Sequence, residues 1–126
     1  MIAGIGVDIF SMRRLAALSD KEGFFREVLT AEELSGAPQG ECRDAFCAEL
    51  CATKEAVLKA LGCGLHPGSP WHDITVFEGF RVGLSGRIRE LAERRSIGHI
   101  HISSSSSVHS ALAIALLETN TPRVTQ

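Results

Sequence analysis

Two carboxylates and two ammonium groups stand where they could do chemistry together. Asp8 closes the segment Met1–Ile9, in which glycines alternate with β-branched residues. Glu55 lies inside Ala48–Gly64, A-E-L-C-A-T-K-E-A-V-L-K-A-L-G-C-G, with Lys54 beside it and Lys59 one helical turn on. On a helix, Glu55 and Lys59 share a face. The plainer reading is an exposed ion pair contributing about 0.3–0.5 kcal/mol. The surrounding residues weigh against it. Phe46, Leu50, Val57 and Leu61 fall close to one stripe, and Ala56 and Leu58 widen that stripe. This pattern predicts a helix buried over more than one side. A carboxylate in such a helix needs a cation or a proton. A shared Mg2+ would satisfy Asp8 and Glu55 together, because magnesium takes oxygen ligands, with water and phosphate oxygens completing its shell. Lys54 and Lys59 would then offer positive charge to a phosphorylated substrate.

The elements that must position these groups follow from patterning. Ile5, Val7 and Ile9 lie on one side of the first segment, and Gly4, Gly6 and Asp8 on the other. Period two with β-branched residues predicts a strand with one buried face. Glycine inside a strand marks close approach by a backbone or ligand. Alternatively, Asp8 caps a following helix, Ser11–Leu18, whose Met12, Leu15 and Leu18 share a face. Asp20–Gly23 reads as a polar break, and Phe24, Phe25 and Val28 as a short apolar turn. Thr30 and Glu33 have capping-box spacing and open a short helix ending near Gly36. Gly36–Arg43 reads as loop. The central helix is expected to start near Asp44 and to stop at Gly62 or Gly64.

Beyond it, Leu65–His72 reads as loop and Asp73–Phe77 as a strand that resumes over Phe80–Leu84. Ser85–Ser96 is predicted helical, with Ile88, Leu91 and Ala92 inward. His99–Ser105 alternates as a strand. The serine run Ser103–Ser107 reads as a polar hairpin loop. Ser110–Glu118 is predicted as a last strand with alanines on one face, followed by a polar tail, Thr119–Gln126. The sum is one α+β domain over residues 1–126, a small and mostly antiparallel sheet with a long central helix.

Composition narrows the function classes. The chain has 126 residues, 44% apolar and 22% charged, with a net charge of −2. That balance suits a single-core globular domain and argues against nucleic acid as the main partner. No apolar run approaches the roughly 20 residues of a membrane span. The first residues lack the basic start of a secretion signal. The cysteines Cys42, Cys47, Cys51 and Cys63 lack the C-x-x-C spacing of common zinc sites, so buried, reduced thiols in a cytoplasmic protein are expected.

Several motifs, in order, resemble the holo-[acyl-carrier-protein] synthase family. Gly6-Val7-Asp8-Ile9 is similar to its G-x-D-[IVL]. Lys54-Glu55-Ala56-Val57-Leu58-Lys59-Ala60-Leu61-Gly62 is similar to its K-E-A-x-x-K-A-[LF]-G. Val28–Leu34 resembles its I-L-T-x-x-E-L, and Asp73-Ile74-Thr75-Val76 its D-I-x-[VI]. His101-Ile102-Ser103 followed by Ala111-Leu112-Ala113 resembles its H-[VI]-S…A-x-A. The resemblance implies the 4′-phosphopantetheinyl transferase fold and transfer of phosphopantetheine from coenzyme A to a serine of an acyl carrier protein. It implies Asp8 and Glu55 as Mg2+ ligands, and Asp8, Glu55 and Lys59 as the catalytic set, with Glu55 and Lys59 both candidates for the serine proton. It implies coenzyme A contacts from Lys54, Lys59 and Gly62, carrier-protein docking at Arg14, and a homotrimer.

The resemblance also exposes departures. The family arginine before the K-E-A motif is Leu50 here. The family histidine near the end falls on Ser106, leaving His101, His109 or the hydroxyls of Ser105 and Ser106 to take its part towards coenzyme A. Weaker coenzyme A binding is therefore expected. Two other readings are a non-catalytic member that binds a carrier protein or a neighbouring subunit, and a metal domain built on the cysteines. Retention of Asp8, Glu55 and Lys59 argues against the former, and the cysteine spacing against the latter.

Overall fold

The structure is a computed structural model that describes residues 1–63 and 70–120. The chain runs β1 (Ile2–Ser11), α1 (Met12–Ala16), α2 (Lys21–Val28), α3 (Ala31–Ser35), α4 (Cys42–Ala60), β2 (Ile74–Phe77), β3 (Arg81–Leu84), α5 (Gly86–Arg94), β4 (Ile97–Ser106) and β5 (Ser110–Thr119). Short 3-10 turns at Trp71–Asp73 and Glu78–Phe80 flank β2. The first and last strands pair in an antiparallel sheet of order β1-β5-β4, and β2 pairs with β3 in a separate hairpin. The expected α+β fold with a mostly antiparallel sheet is present. Of the expected segments, Gly64, residues 65–69 of the loop and residues 121–126 of the tail lie outside the described residues.

Helix α4 is wedged between two cores. One of its sides packs on the sheet, where Ala48, Ala52 and Ala56 meet Ala111, Ala113, Ala115 and Leu117 of β5. Its other side meets Leu15, Phe25, Val28 and Leu29 from the N-terminal helices. The expectation of burial over more than one side holds. The helix starts earlier than Asp44, at Cys42, and its N-terminus has no side-chain cap. It stops at Gly62, whose φ of +79° suits glycine. The Cys63 and Gly62 N–H groups donate to the Leu58 and Lys59 carbonyls at 2.8 and 3.0 Å, the paired bonds of a Schellman end.

The glycine side of β1 is the buried side. Ile5, Val7 and Ile9 face outward at 58, 45 and 68% exposure. Gly4 and Gly6 lie against α4, where a Cβ on either would collide with the Ala60 or Ala56 carbonyl oxygen. The alanine ridge of α4 and the glycines of β1 thus let the two backbones approach more closely than larger side chains would allow. Arg95 ties the same two elements, donating to the carbonyls of Leu61 at 2.8 Å and Ala3 at 2.9 Å. Gly6→Ala is expected to cost about 3 kcal/mol or more, because the clash is with helix backbone that cannot rotate away. Urea unfolding would measure it; a loss below about 1 kcal/mol would show that strand and helix can separate cheaply.

Two expected loops are ordered elements. Phe24, Phe25 and Val28 belong to α2, capped by Asp20, whose side chain accepts from the Gly23 N–H. Ser103–Ser106 continue β4, and only Ser107 turns, its Oγ accepting from the N–H groups of His109 and Ser110. Pairing with the apolar strand β5 overrides the loop character of serine there.

Candidate active site

Asp8 and Glu55 meet in a cavity of about 240 Å³ whose other walls are Ser11, Arg14, Phe24, Val28, Cys51 and Trp71, with part of β1. Asp8 reaches it because it continues the buried side of β1, two residues beyond Gly6. It does not cap α1; the Ser11 hydroxyl does, accepting from the Arg14 N–H. Glu55 reaches the cavity from the part of α4 that Gly6 lets close.

The two carboxylates have different partners. Asp8 Oδ1 is 2.9 Å from Lys59 Nζ, which also donates to the Val7 carbonyl at 3.0 Å. Glu55 is 7% exposed, and among the described residues neither of its carboxylate oxygens has a hydrogen-bond partner. Burial pushes the Glu55 carboxyl up from 4.5 to about 7, with further upward push from Asp8 and a partial offset by Lys59. A buried oxygen pair without a donor, beside a second carboxylate, is a donor set that a hard divalent cation fits. Among the described residues no cluster of three or more His, Cys, Asp or Glu side chains forms, and two carboxylates are what magnesium commonly takes from protein.

The same imbalance predicts a pH dependence. The folded chain favours protonated Glu55, so this residue's contribution is fullest below pH 4.5 and is lost as pH rises through about 7. The shift corresponds to at most about 3 kcal/mol. In metal-free buffer the urea midpoint of the wild type should therefore fall relative to Glu55→Gln between about pH 5 and 7. Parallel pH profiles for the two proteins would contradict the burial argument.

Lys54 is placed differently from expectation. Its side chain has no exposure and its ammonium is 2.6 Å from Glu33 Oε1, donating also to the carbonyls of Val28 and Trp71 at 2.9 and 3.3 Å. All its bonding capacity is used inside the protein, leaving nothing to offer a coenzyme. Glu33 completes the network, accepting from the N–H groups of Thr30 at 2.8 Å and Val76 at 2.7 Å. Its capping box was legible in sequence; its second oxygen bridging to β2 was not.

Ser105 and Ser106 do not reach the Asp8–Glu55 cavity. Neighbours on a strand point to opposite faces, so the two hydroxyls cannot grip one group within a single chain. Ser106 lines a separate open cleft with Met12, Glu41, Asp44 and Glu49. Gly62 ends α4 by its backbone conformation. Leu50 is buried beside Phe46, Phe80 and Glu32 in a third cavity, of about 530 Å³. Arg14 is exposed on α1 at the carboxylate cavity. Cys47 and Cys51 are buried, the former with its thiol pushed up by burial to about 11, whereas Cys42 is exposed, against the expectation of burial. Phe24, Val28 and Trp71 are the site residues that sequence reasoning missed. The Asp20 cap with apolar residues a turn apart was the available signal for the first two.

An antiparallel sheet closed by one deeply buried helix, with two carboxylates facing each other across the helix–strand seam, defines the class of protein. Residues 4–116 match the model of the 4′-phosphopantetheinyl transferase superfamily, and the chain belongs to that family. Within it, the chain is 38% identical over 125 residues to the holo-[acyl-carrier-protein] synthase of Vibrio cholerae serotype O1, covering 94% of this chain and 98% of that one. It superposes on the crystal structure of the Neisseria meningitidis holo-[acyl-carrier-protein] synthase with a TM-score of 0.77 at 30% identity, covering 94% of this chain and all of that one. The Bacillus anthracis synthase, solved in complex with CoA (3′,5′-ADP), is similar at a TM-score of 0.75 and 28% identity, covering 95 and 99% of the two chains. No helix among the described residues is long and apolar enough to cross a membrane.

Proposed function

We propose that this chain transfers 4′-phosphopantetheine from coenzyme A to a serine of an acyl carrier protein. The observation that carries the reading is Glu55, buried beside Asp8 with both oxygens unpartnered among the described residues. Membership of the transferase superfamily and likeness to several holo-[acyl-carrier-protein] synthases support it.

In this reading Asp8 and Glu55 hold Mg2+, which when bound supplies positive charge against the pyrophosphate of coenzyme A. The serine oxygen forms a bond to the β-phosphorus. The bond from that phosphorus to the bridging oxygen breaks, and 3′,5′-ADP leaves with the electron pair. The serine proton passes to the Glu55 carboxylate; Lys59, an ammonium in its pair with Asp8, has no lone pair to take it. Little else is asked of the protein, because phosphoryl transfer rests on positioning and charge. Lys59 stands beside the carboxylates to neutralise phosphate. Arg14, exposed at the rim, suits an acidic carrier protein and would speed docking. The outward row of Ile5, Val7 and Ile9, continued by Ile114 on β5 at 40% exposure, is an apolar patch suited to subunit contact and supports a homotrimer. Four free cysteines suit a cytoplasmic location.

The test is mass spectrometry of an apo carrier protein incubated with the chain, coenzyme A and Mg2+. Gain of the phosphopantetheine mass is expected. Measurable carrier binding without that gain, across a panel of carriers, would leave a binding-only module instead. Coenzyme A affinity gives a second measurement. Leu50 stands at the position of the family arginine, so Leu50→Arg is expected to tighten coenzyme A binding by roughly tenfold, the worth of one charge-assisted bond. Unchanged affinity in calorimetry would show that the nucleotide end lies elsewhere.

A further inference from the structure

We propose that Lys59 is an exchangeable counter-ion, holding Asp8 until a divalent cation replaces it and only then turning its ammonium towards phosphate. The inference rests on the reading of Asp8 and Glu55 as a cation site. Its basis is the asymmetry of the two carboxylates. Asp8 is neutralised by Lys59 at 2.9 Å, whereas Glu55 has no hydrogen-bond partner on either oxygen among the described residues. One ammonium cannot serve both acids: with Glu55 ionised, the two carboxylates and Lys59 together carry one uncompensated negative charge. A divalent cation shared by both carboxylates balances them fully and leaves Lys59 as surplus positive charge beside another cation. Like charges placed so close repel one another.

Lys59 is built to leave. Its side chain is 42% exposed, against 12% for Asp8 and none for Lys54. Its other bond is to the Val7 carbonyl at the strand edge of Asp8. The two lysines of one motif are thus divided, Lys54 locked in the core and Lys59 free to swing. The consequence is an order of events. Before the cation arrives, the ammonium is spent on Asp8 and draws phosphate weakly. Afterwards it is released, beside the carboxylates, to meet phosphate. The cation and the phosphate therefore bind with positive coupling, and that coupling passes through Lys59.

Crystals of the wild-type protein grown without metal and with Mn2+ would test this. The expected result is an anomalous peak between Asp8 and Glu55, with Lys59 Nζ moved to more than about 4 Å from Asp8, beyond ion-pair distance. A peak with the Lys59–Asp8 pair intact would overturn the exchange and leave the cation site standing. No peak at the carboxylates would overturn both. In solution, Mn2+ binding followed by electron paramagnetic resonance should be roughly tenfold tighter in Lys59→Met, because the competitor is gone. Equal or weaker binding in a folded variant would show that Lys59 props Asp8 for the metal and does not compete with it.

Discussion

Glu55→Gln is expected to lower phosphopantetheine transfer by roughly a thousandfold, about 4 kcal/mol of barrier, while making the metal-free protein more stable. The two effects share one cause. Glu55 sits in a cavity that burial and Asp8 both make hostile to negative charge, and its carboxyl is pushed up to about 7. Glutamine keeps the shape and removes the charge, so the repulsion disappears and the desolvation cost falls. What is lost is the carboxylate that a divalent cation would need. Asp8→Asn should lose transfer equally but lose stability too, because Asp8 is the partner of Lys59. Opposite signs of stability change with the same loss of transfer would separate the site from the scaffold. Single-turnover transfer followed by mass spectrometry, paired with urea unfolding at pH 8, measures both. Transfer within tenfold of wild type in Glu55→Gln would remove Glu55 from the chemistry.

How much of this was legible in sequence depends on the range of the interaction. Local signals read well. Alternation marked β1, β4 and β5, the Thr30–Glu33 spacing marked a capping box, and Gly62 or Gly64 marked the end of α4, which falls at Gly62. The α4 start was missed because that end has no capping side chain to read. The α2 helix was hidden because Gly23 in its first turn lowers helix propensity, though Asp20 accepts from that same glycine. Which face of β1 is buried could not be read from hydrophobicity. Ile5, Val7 and Ile9 are the greasier side, yet the glycines are covered, because only they admit the α4 backbone. That inversion is also what brings Asp8 and Glu55 together. Asp8 and Glu55 were named from their context and then from motif, whereas their meeting is explained by two glycines and a row of alanines. The fate of Lys54 was beyond local reading, since its partner Glu33 comes from a different helix.

Glu33→Ala is accordingly the substitution expected to cost most stability, about 3–5 kcal/mol. It strands the Lys54 ammonium in the core with only the Val28 and Trp71 carbonyls. It also removes the acceptor of the buried Val76 N–H and the reciprocal half of the α3 capping box. A loss of that size is a large fraction of the 5–15 kcal/mol typical of a domain. Lys54→Met should cost a similar amount by leaving Glu33 charged and buried. The double variant Glu33→Gln with Lys54→Met should recover part of the sum, because no full charge is then stranded. The measurement is a double-mutant cycle in urea, with Trp71 as probe, the only tryptophan in the chain. Coenzyme A binding decides between the two roles offered for Lys54. As an internal clamp, its loss lowers the folded fraction and loosens the Trp71 wall while the folded molecules keep their coenzyme A affinity within a few-fold. As a phosphate contact, its loss would weaken that affinity by tenfold or more, the scale of a charge-assisted bond. The geometry favours the clamp, since an ammonium with no exposed surface and three acceptors around it has no free donor to turn outward.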